Sequence, residues 1–272
     1  MSYGDTKIVN EPVTKELLIT ALKKLGVKEG QLLEVHASLS SFDYVIGGAR
    51  TVVDALLECV GESGTILMPT QCIDNSEPSV WKAPAIQPSM YTEVRASIPP
   101  YDPRQNDILG MGAVAENFRR REGVLHTSHP AVSYAAWGRY AKLMCNRQSM
   151  HFPLAEESPA ARMYELKGFV LLLGCDFDKV TSLHLAEYRT DDRPILIEGA
   201  SMNGVSGPEW KPYLDLELDS SIFIKIRNEL VKKNVIREAD LGGSHLQFFP
   251  ITYAIDEAAN YLEQNSVYEL YR

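Results

Sequence analysis

The most apolar short run in the chain is Gly168-Phe-Val-Leu-Leu-Leu-Gly174, and it continues into Cys175-Asp-Phe-Asp-Lys-Val-Thr-Ser-Leu-His-Leu-Ala-Glu-Tyr-Arg189. Five consecutive apolar residues between two glycines predict a strand that is buried on both faces, as strands are in the middle of a parallel sheet. After a short polar loop, Thr181 or Ser182 can cap a helix. The stretch therefore predicts a buried strand that leads directly into polar, chemically active side chains.

One histidine stands in the first turn of this predicted helix. His184 is followed by Glu187 and Tyr188 at three and four residues, so a helix places an imidazole, a carboxylate and a phenol on one surface. The positive end of the helix dipole disfavours imidazolium, which suits a general base. Most histidines make only structural hydrogen bonds, and the local sequence leaves this alternative open for His184.

The composition is that of an ordinary globular protein. Of the 272 residues, 45% are hydrophobic and 23% are charged, which is enough for one large domain or two closely joined ones. The net charge of -9 argues against nucleic-acid binding, because phosphate requires a basic surface. We find no apolar leader and no run near the ~18 apolar residues of a membrane span, and we expect a cytoplasmic protein without membrane contacts. The four cysteines are widely spaced, so no metal site is expected.

Strand and helix alternate in the first part of the chain. Apolar spacing predicts a helix over residues 12–26, a strand over 31–36, a helix over 49–60 and a strand over 65–68. This alternation is typical of a parallel sheet flanked by helices.

The proline-rich passage over residues 71–104 interrupts this alternation. Long irregular passages inside compact domains are usually functional or mobile. Asp74 and Asn75 lie within it and could receive a cationic or sugar-like ligand, although a solvated surface loop explains them equally well.

The part after Arg189 is richer in strands. Runs over residues 194–200 and 209–213 flank a Gly/Ser/Pro turn and predict a hairpin. The next run, Asp215-Leu-Glu-Leu-Asp219, alternates acidic and apolar residues, so its three carboxylates share one face if it is extended. A helix, two short strands and a final helix over residues 251–264 complete the chain.

These patterns predict an α/β protein with a central mixed, partly parallel sheet flanked by helices and a β-rich C-terminal part. We expect one domain over residues 1–272. A subdivision near residue 190 would separate an α/β part, 1–190, from a β-rich and helical part, 191–272. No repeat or linker separates the two parts.

Several well-known catalytic motifs are absent, namely the Gly-x-Ser-x-Gly elbow, the Walker loop and His-Glu-x-x-His. Gly110-Met-Gly112 opens a predicted helix at which backbone amides can approach a phosphate or a carbonyl closely. Among the other histidines, His36 at the end of a strand and His129 before a proline are plausible site residues. Surface or loop positions better suit His126, His151 and His245.

Eight segments occur in a fixed order: Val35-His-Ala-Ser-Leu-Ser40, Gly47-Gly-Ala-Arg-Thr-Val-Val-Asp-Ala-Leu56, Gly64-Thr-Ile-Leu-Met-Pro69, Gly110-Met-Gly112, Ser128-His-Pro130, Glu157-Ser-Pro-Ala-Ala-Arg162, Val170-Leu-Leu-Leu-Gly174 and Thr181-Ser-Leu-His-Leu-Ala-Glu187. Together they resemble the aminoglycoside 3-N-acetyltransferase family, whose fold is not that of the small GNAT-type acetyltransferases. The chain departs from the family at Ala37, where a second serine is common. Its long insertion over residues 74–102 resembles the chromosomal subgroup of bacilli.

The resemblance implies acetyl transfer from acetyl-CoA, the cosubstrate, to the 3-amino group of a 2-deoxystreptamine aminoglycoside. It implies that His184 is the general base and that Glu217 is its acidic partner. Asp215 and Asp219 are the other candidates, because a two-residue slip along a strand keeps the same face.

The resemblance also implies where the two substrates bind. The residues expected to contact acetyl-CoA are His36, Ser38, Gly47, Gly48, Gly110 and Gly112. The residues expected to contact a polycationic antibiotic are Asp74, Asn75, Glu187 and Asp219. Two alternatives stay open: an acyl-CoA-dependent N-acyltransferase for another small amine, and a non-catalytic module that binds CoA or an amino-sugar. No oligomeric state is predicted.

Overall fold

The computed structural model describes residues 8–191 and 193–265, and a seven-stranded sheet lies at its centre. The strands are β1 (Leu32–Ala37), β2 (Thr65–Pro69), β3 (Leu125–His126), β4 (Tyr134–Gly138), β5 (Phe169–Leu173), β6 (Ile195–Gly204), β7 (Gly207–Leu216), β8 (Arg237–Leu241) and β9 (Ser244–Pro250). Their order in the sheet is β3-β4-β2-β1-β5-β9-β8, and β6 and β7 form a separate hairpin. Strand β1 pairs in parallel with β2 and β5, whereas the outer pairs are antiparallel. The prediction of a mixed, partly parallel sheet is confirmed.

Helices cover both faces of this sheet. They are α1 (Lys15–Leu25), α2 (Gly48–Val60), α3 (Tyr91–Ser97), α4 (Gly112–Arg119), α5 (Ala141–Cys145), α6 (Pro159–Glu165), α7 (Leu185–Tyr188), α8 (Phe223–Lys232) and α9 (Ile251–Gln264). Side chains alternate between the faces of a strand, so β5 contributes to two cores. Leu171 packs with α1, α2 and α4, while Val170 and Leu172 pack with α6, α7, α8 and α9.

The ends of the helices follow the local sequence. Thr14 accepts a hydrogen bond from the N–H of Leu17 at 3.3 Å and begins α1, and Gly26 ends it with a φ of 106°. Ser158 accepts from the N–H of Ala161 at 3.1 Å and begins α6. These caps satisfy backbone groups that the first and last turns leave without intrahelical partners.

Strand β5 has the predicted bounds, and its end directs the chain toward the polar stretch. Gly174 follows it with a φ of 69°, and a Cβ at this position would overlap the hydroxyl group of Ser41. Only glycine combines that backbone conformation with so close an approach. The turn out of the buried strand is therefore specified by the sequence itself.

In the part of the chain that the structure describes, none of the helices has both the length and the apolar character that crossing a bilayer requires.

His129 is buried in the core instead of lining a cavity. Its Nδ1 accepts hydrogen bonds from the N–H groups of Ala131 at 3.3 Å and Val132 at 2.9 Å, and its Nε2 lies 3.2 Å from the carbonyl oxygen of Met150. The proton therefore belongs on Nε2. Burial lowers the pKa of His129 to about 4. This histidine has a structural role, not the site role that its position before a proline allowed.

We predict that His129 makes stability depend on pH. The unfolded chain binds more protons between a pKa of about 4 and the ordinary value of about 6.5, so stability falls as the pH decreases through this range. The loss should be on the order of 2 kcal/mol at pH 5. The variant H129N keeps an acceptor but does not titrate. Urea unfolding at pH 7 and pH 5 should show a smaller difference for H129N than for the parent, and equal differences would contradict the prediction.

Candidate functional site

A cavity of about 390 Å³ opens where β1 and β2 end. Helix α4 and the segment after β5 supply its other walls. Of the residues predicted to bind or react, those that line it are His36, Ser38, Gly110, Gly112 and His184. Segments far apart in the sequence are thus brought to one place by the parallel strands, whose carboxyl ends meet at one edge of the sheet.

Two predicted coenzyme contacts lie outside this lining. Gly47 and Gly48 are at the start of α2, both with positive φ values of 80° and 60°. Gly112 does line the cavity. Its φ is also positive, at 84°, and a Cβ atom at this position would lie 3.3 Å from the carbonyl oxygen of Ala37. Glycine therefore lets α4 begin directly against the end of β1.

His184 is held by a carboxylate from its own turn. The residues Thr181–His184 form a single-turn 3-10 helix that continues into α7, and neither Thr181 nor Ser182 caps it with its side chain. The Nδ1 atom of His184 hydrogen-bonds Oε2 of Glu187. The imidazole is 15% exposed, whereas the carboxylate is fully buried. The spacing of three residues brings these two groups together, as the local sequence predicts.

The other oxygen of Glu187 has two further partners. Its Oε1 accepts a hydrogen bond from the N–H of Asp219 at 3.0 Å and lies 2.8 Å from Nε of Arg193. The Arg193 side chain is only 1% exposed. A buried carboxylate is costly without such partners, so the contacts stabilise Glu187 where it can orient the imidazole.

The sequence predicts Glu217 as the residue that orients His184, whereas the structure places Glu187 against the ring. Strand β7 ends at Leu216, and Glu217 after it is exposed, with its N–H donating to the carbonyl oxygen of Pro194 at 2.9 Å. The three alternating carboxylates therefore do not share one buried face. The carboxylate that contacts His184 is Glu187.

Asp215 and Asp219 make other contacts. Asp215 accepts hydrogen bonds from the hydroxyl group of Tyr188 and, at 2.8 Å, from the N–H of Leu216. Burial raises the pKa of Asp215 to about 6. Asp219 accepts from the N–H of Ser221 at 2.9 Å, which lowers the pKa of Asp219. Helix α7 is thus bound to the hairpin β6–β7 through both of its polar side chains, Glu187 and Tyr188.

The proposed ligand role of Asn75 is also corrected. Asn75 has no exposed surface, and it exchanges two hydrogen bonds with the backbone of Ser201, at 3.0 Å and 2.8 Å. It fastens the proline-rich passage to β6, so both ends of its amide are already used inside the fold. Asp74 beside it is exposed and does not line the cavity.

The hairpin β6–β7 presents carboxylates near α7. Glu198 is half-buried, and burial, together with the nearby charges of Asp215 and Glu77, raises the pKa of Glu198 to about 7. Glu198 and Asp215 lie on the same face of the hairpin. Directly opposite residues of an antiparallel pair share a face, and so do residues two apart on one strand. A cation placed beside this face would meet negative charge.

Sequence reasoning missed two buried charged residues, Arg193 and Glu34. A carboxylate inside the apolar run of β1 is the signal that marks Glu34, since acidic residues are almost never fully buried without partners. Arg193 has no such signal, because it stands in a polar loop and its contact with Glu187 forms only in the folded protein. Among residues 8–191 and 193–265, no group of three or more His, Cys, Asp and Glu side chains is arranged to hold a metal ion.

Comparisons with known proteins agree with this architecture. The sequence model of the family described as "Aminoglycoside 3-N-acetyltransferase" matches residues 35–263. A relative from Bacillus subtilis strain 168, named SPbeta prophage-derived aminoglycoside N(3')-acetyltransferase-like protein YokD, is 35% identical over 255 residues, which are 93% of this chain and 94% of the relative.

Solved structures share the fold, and it is not the small GNAT-type fold. The crystal structure of YokD from Bacillus subtilis has a TM-score of 0.91 and 34% identity, over 94% of this chain and 96% of that chain. The structure of AAC-IIIb in a binary complex with CoASH has a TM-score of 0.83 and 25% identity, over 93% of this chain and 97% of that chain. The chain therefore belongs to the aminoglycoside 3-N-acetyltransferase family.

Proposed function

We propose that this protein transfers the acetyl group of acetyl-CoA to the 3-amino group of a 2-deoxystreptamine aminoglycoside, with His184 as the general base. The observation that carries the proposal is the His184–Glu187 pair in the wall of a cavity, within a member of this acetyltransferase family.

The cavity fits the acyl-pantetheine end of the cosubstrate. Its volume of about 390 Å³ is within the range of small-molecule sites, and Met68 and Met111 give it apolar surface for an alkyl arm. His36, Ser38 and the backbone around Gly112 provide polar contacts. The CoASH complex of AAC-IIIb supports this assignment. When bound, acetyl-CoA supplies a thioester carbonyl carbon that an amine can attack.

His184 removes the proton that the attacking amine must lose. A hydrogen bond from Nδ1–H to Glu187 leaves the lone pair of Nε2 free to accept that proton. Glu187 then offsets the charge of the imidazolium that forms. An ammonium group has no lone pair, so turnover requires this base.

The acceptor is expected to be polycationic, because the surface next to α7 is acidic. Half-buried Glu198 can pair with an ammonium group, and buried Asp215 on the same face of the hairpin adds negative charge, which contributes affinity and steering. The net charge of -9 acts in the same direction. The name of the family supports an aminoglycoside as this acceptor.

Replacing the base should greatly slow turnover but leave cosubstrate binding intact. We expect H184A to reduce kcat by about 10² to 10⁴, the usual contribution of a general base. Calorimetry should show CoA binding close to that of the parent. The control is H245Q, because His245 is an exposed histidine that contacts Asp240 and Glu238. Parental kcat in H184A would contradict the role of His184.

Two carboxylate variants test which residue orients the base. E187Q should lower kcat by roughly 10², because the amide cannot offset the imidazolium charge or fix the tautomer in the same way. E217Q should stay near the parent, since Glu217 is exposed and Glu187 contacts the ring. Thermal unfolding should confirm that both variants are folded. The opposite ranking of the two kcat values would restore Glu217 as the partner.

The hairpin carboxylate should control acceptor affinity in a pH-dependent manner. With a pKa of about 7, Glu198 gains its charge as the pH rises from 6 to 8, so KM for the aminoglycoside should fall over this range. In E198Q this pH dependence should be smaller, and KM for acetyl-CoA should not change. E209Q, at the exposed end of the same hairpin, is the control. The same pH dependence in E198Q and the parent would exclude Glu198 from the acceptor site.

A further inference from the structure

Glu34 is a fully buried carboxylate in the central strand of the sheet. Its neighbours across the parallel pairs are Leu67 on β2 and Val170 on β5, which are both apolar and buried. Burying a carboxylate among such residues is unfavourable unless it is paired and hydrogen-bonded. Stability alone therefore does not explain its presence.

The carboxylate of Glu34 contacts two walls of the cavity. Its Oε1 accepts a hydrogen bond from the N–H of Ser182 at 3.3 Å and lies 3.2 Å from Nε2 of His36. Ser182 belongs to the 3-10 turn that ends at His184, and His36 lines the cavity together with His184. One oxygen atom thus connects the end of β1 to the turn that carries the proposed base.

Several buried polar atoms at and around Glu34 make no hydrogen bond within the described part of the protein. Among the residues that the structure describes, Oε2 of Glu34, Nε2 of His36 and the hydroxyl groups of Ser182 and Tyr134 are buried without a hydrogen-bond partner, so the 3.2 Å approach of His36 to Glu34 is a close contact without hydrogen-bond geometry. Incompletely satisfied buried polar groups are rare in native proteins and each requires an explanation.

We propose that Glu34 is a positioning residue, which fixes His36 and the turn of His184 relative to each other around the acyl end of bound acetyl-CoA. This inference rests on the proposed role of the cavity in binding acetyl-CoA.

Two variants separate the position of this group from its charge. E34D keeps the carboxylate but moves it about one carbon–carbon bond away from Ser182 and His36. E34Q loses the charge but keeps an acceptor at the same reach. A misplacement of ~1 Å in an active site can cost about 10²-fold in rate. We therefore expect E34D to lower kcat 10- to 100-fold and to weaken CoA binding several-fold, and E34Q to stay within about threefold of the parent.

The control is T65V. Thr65 is a fully buried polar residue on the adjacent strand, and it accepts a hydrogen bond from the N–H of Tyr140 at 2.8 Å. It lies at the end of β2 opposite to Pro69, which lines the cavity. T65V should lower the unfolding temperature without changing kcat or CoA affinity. It therefore shows the effect of losing a buried hydrogen bond that has no part in positioning the cavity residues.

Calorimetry with CoA alone decides the proposal without reference to any amine. Equal CoA affinity in folded E34D and the parent would overturn the positioning role, as would an E34Q variant that is impaired as much as E34D. If the parent binds CoA but acetylates no aminoglycoside, only the proposed acceptor fails. A parent that does not bind CoA would overturn both proposals.

Discussion

The burial of Glu187 is the constraint on which the candidate site depends. This carboxylate has no exposed surface, and its partners are His184 on the same turn, Arg193 just before β6 and the N–H of Asp219 just after β7. The last two flank the hairpin β6–β7, one on each side. Glu187 therefore joins the hairpin β6–β7 to α7, and the orientation of the imidazole depends on the packing of the hairpin as well as on the local turn.

The parallel centre of the sheet explains why the other site residues converge. Strands β2, β1 and β5 run in the same direction, so the segments after them emerge at one edge. Met68 and Pro69 end β2, Ser38 follows β1, and the loop to His184 follows β5. The cavity lies among these ends. Glu34 contacts two of them, the end of β1 and the turn that carries His184. Two histidines, each beside a buried carboxylate, thus face one cavity.

Much of this arrangement can be predicted from the sequence where one physical signal dominates. The bounds of β5 and of α9 agree with the prediction, because an apolar run between glycines and a long amphipathic pattern each permit few alternatives. The spacing of His184 and Glu187 likewise predicts their contact. The prediction of Glu217 as the partner assumes an extended strand beyond Leu216, where β7 ends.

The remaining differences come from tertiary contacts that no local pattern encodes. Asn75 has the composition of a ligand contact, but its amide is used by the backbone of β6. Arg193 stands in a polar loop, and its buried contact with Glu187 forms only in the folded protein. The most direct measurement of the proposed function is NMR of the product that the parent protein forms from acetyl-CoA and an aminoglycoside. We predict one acetyl group, on the 3-amino nitrogen; no product, or acetylation of a different nitrogen, would contradict it.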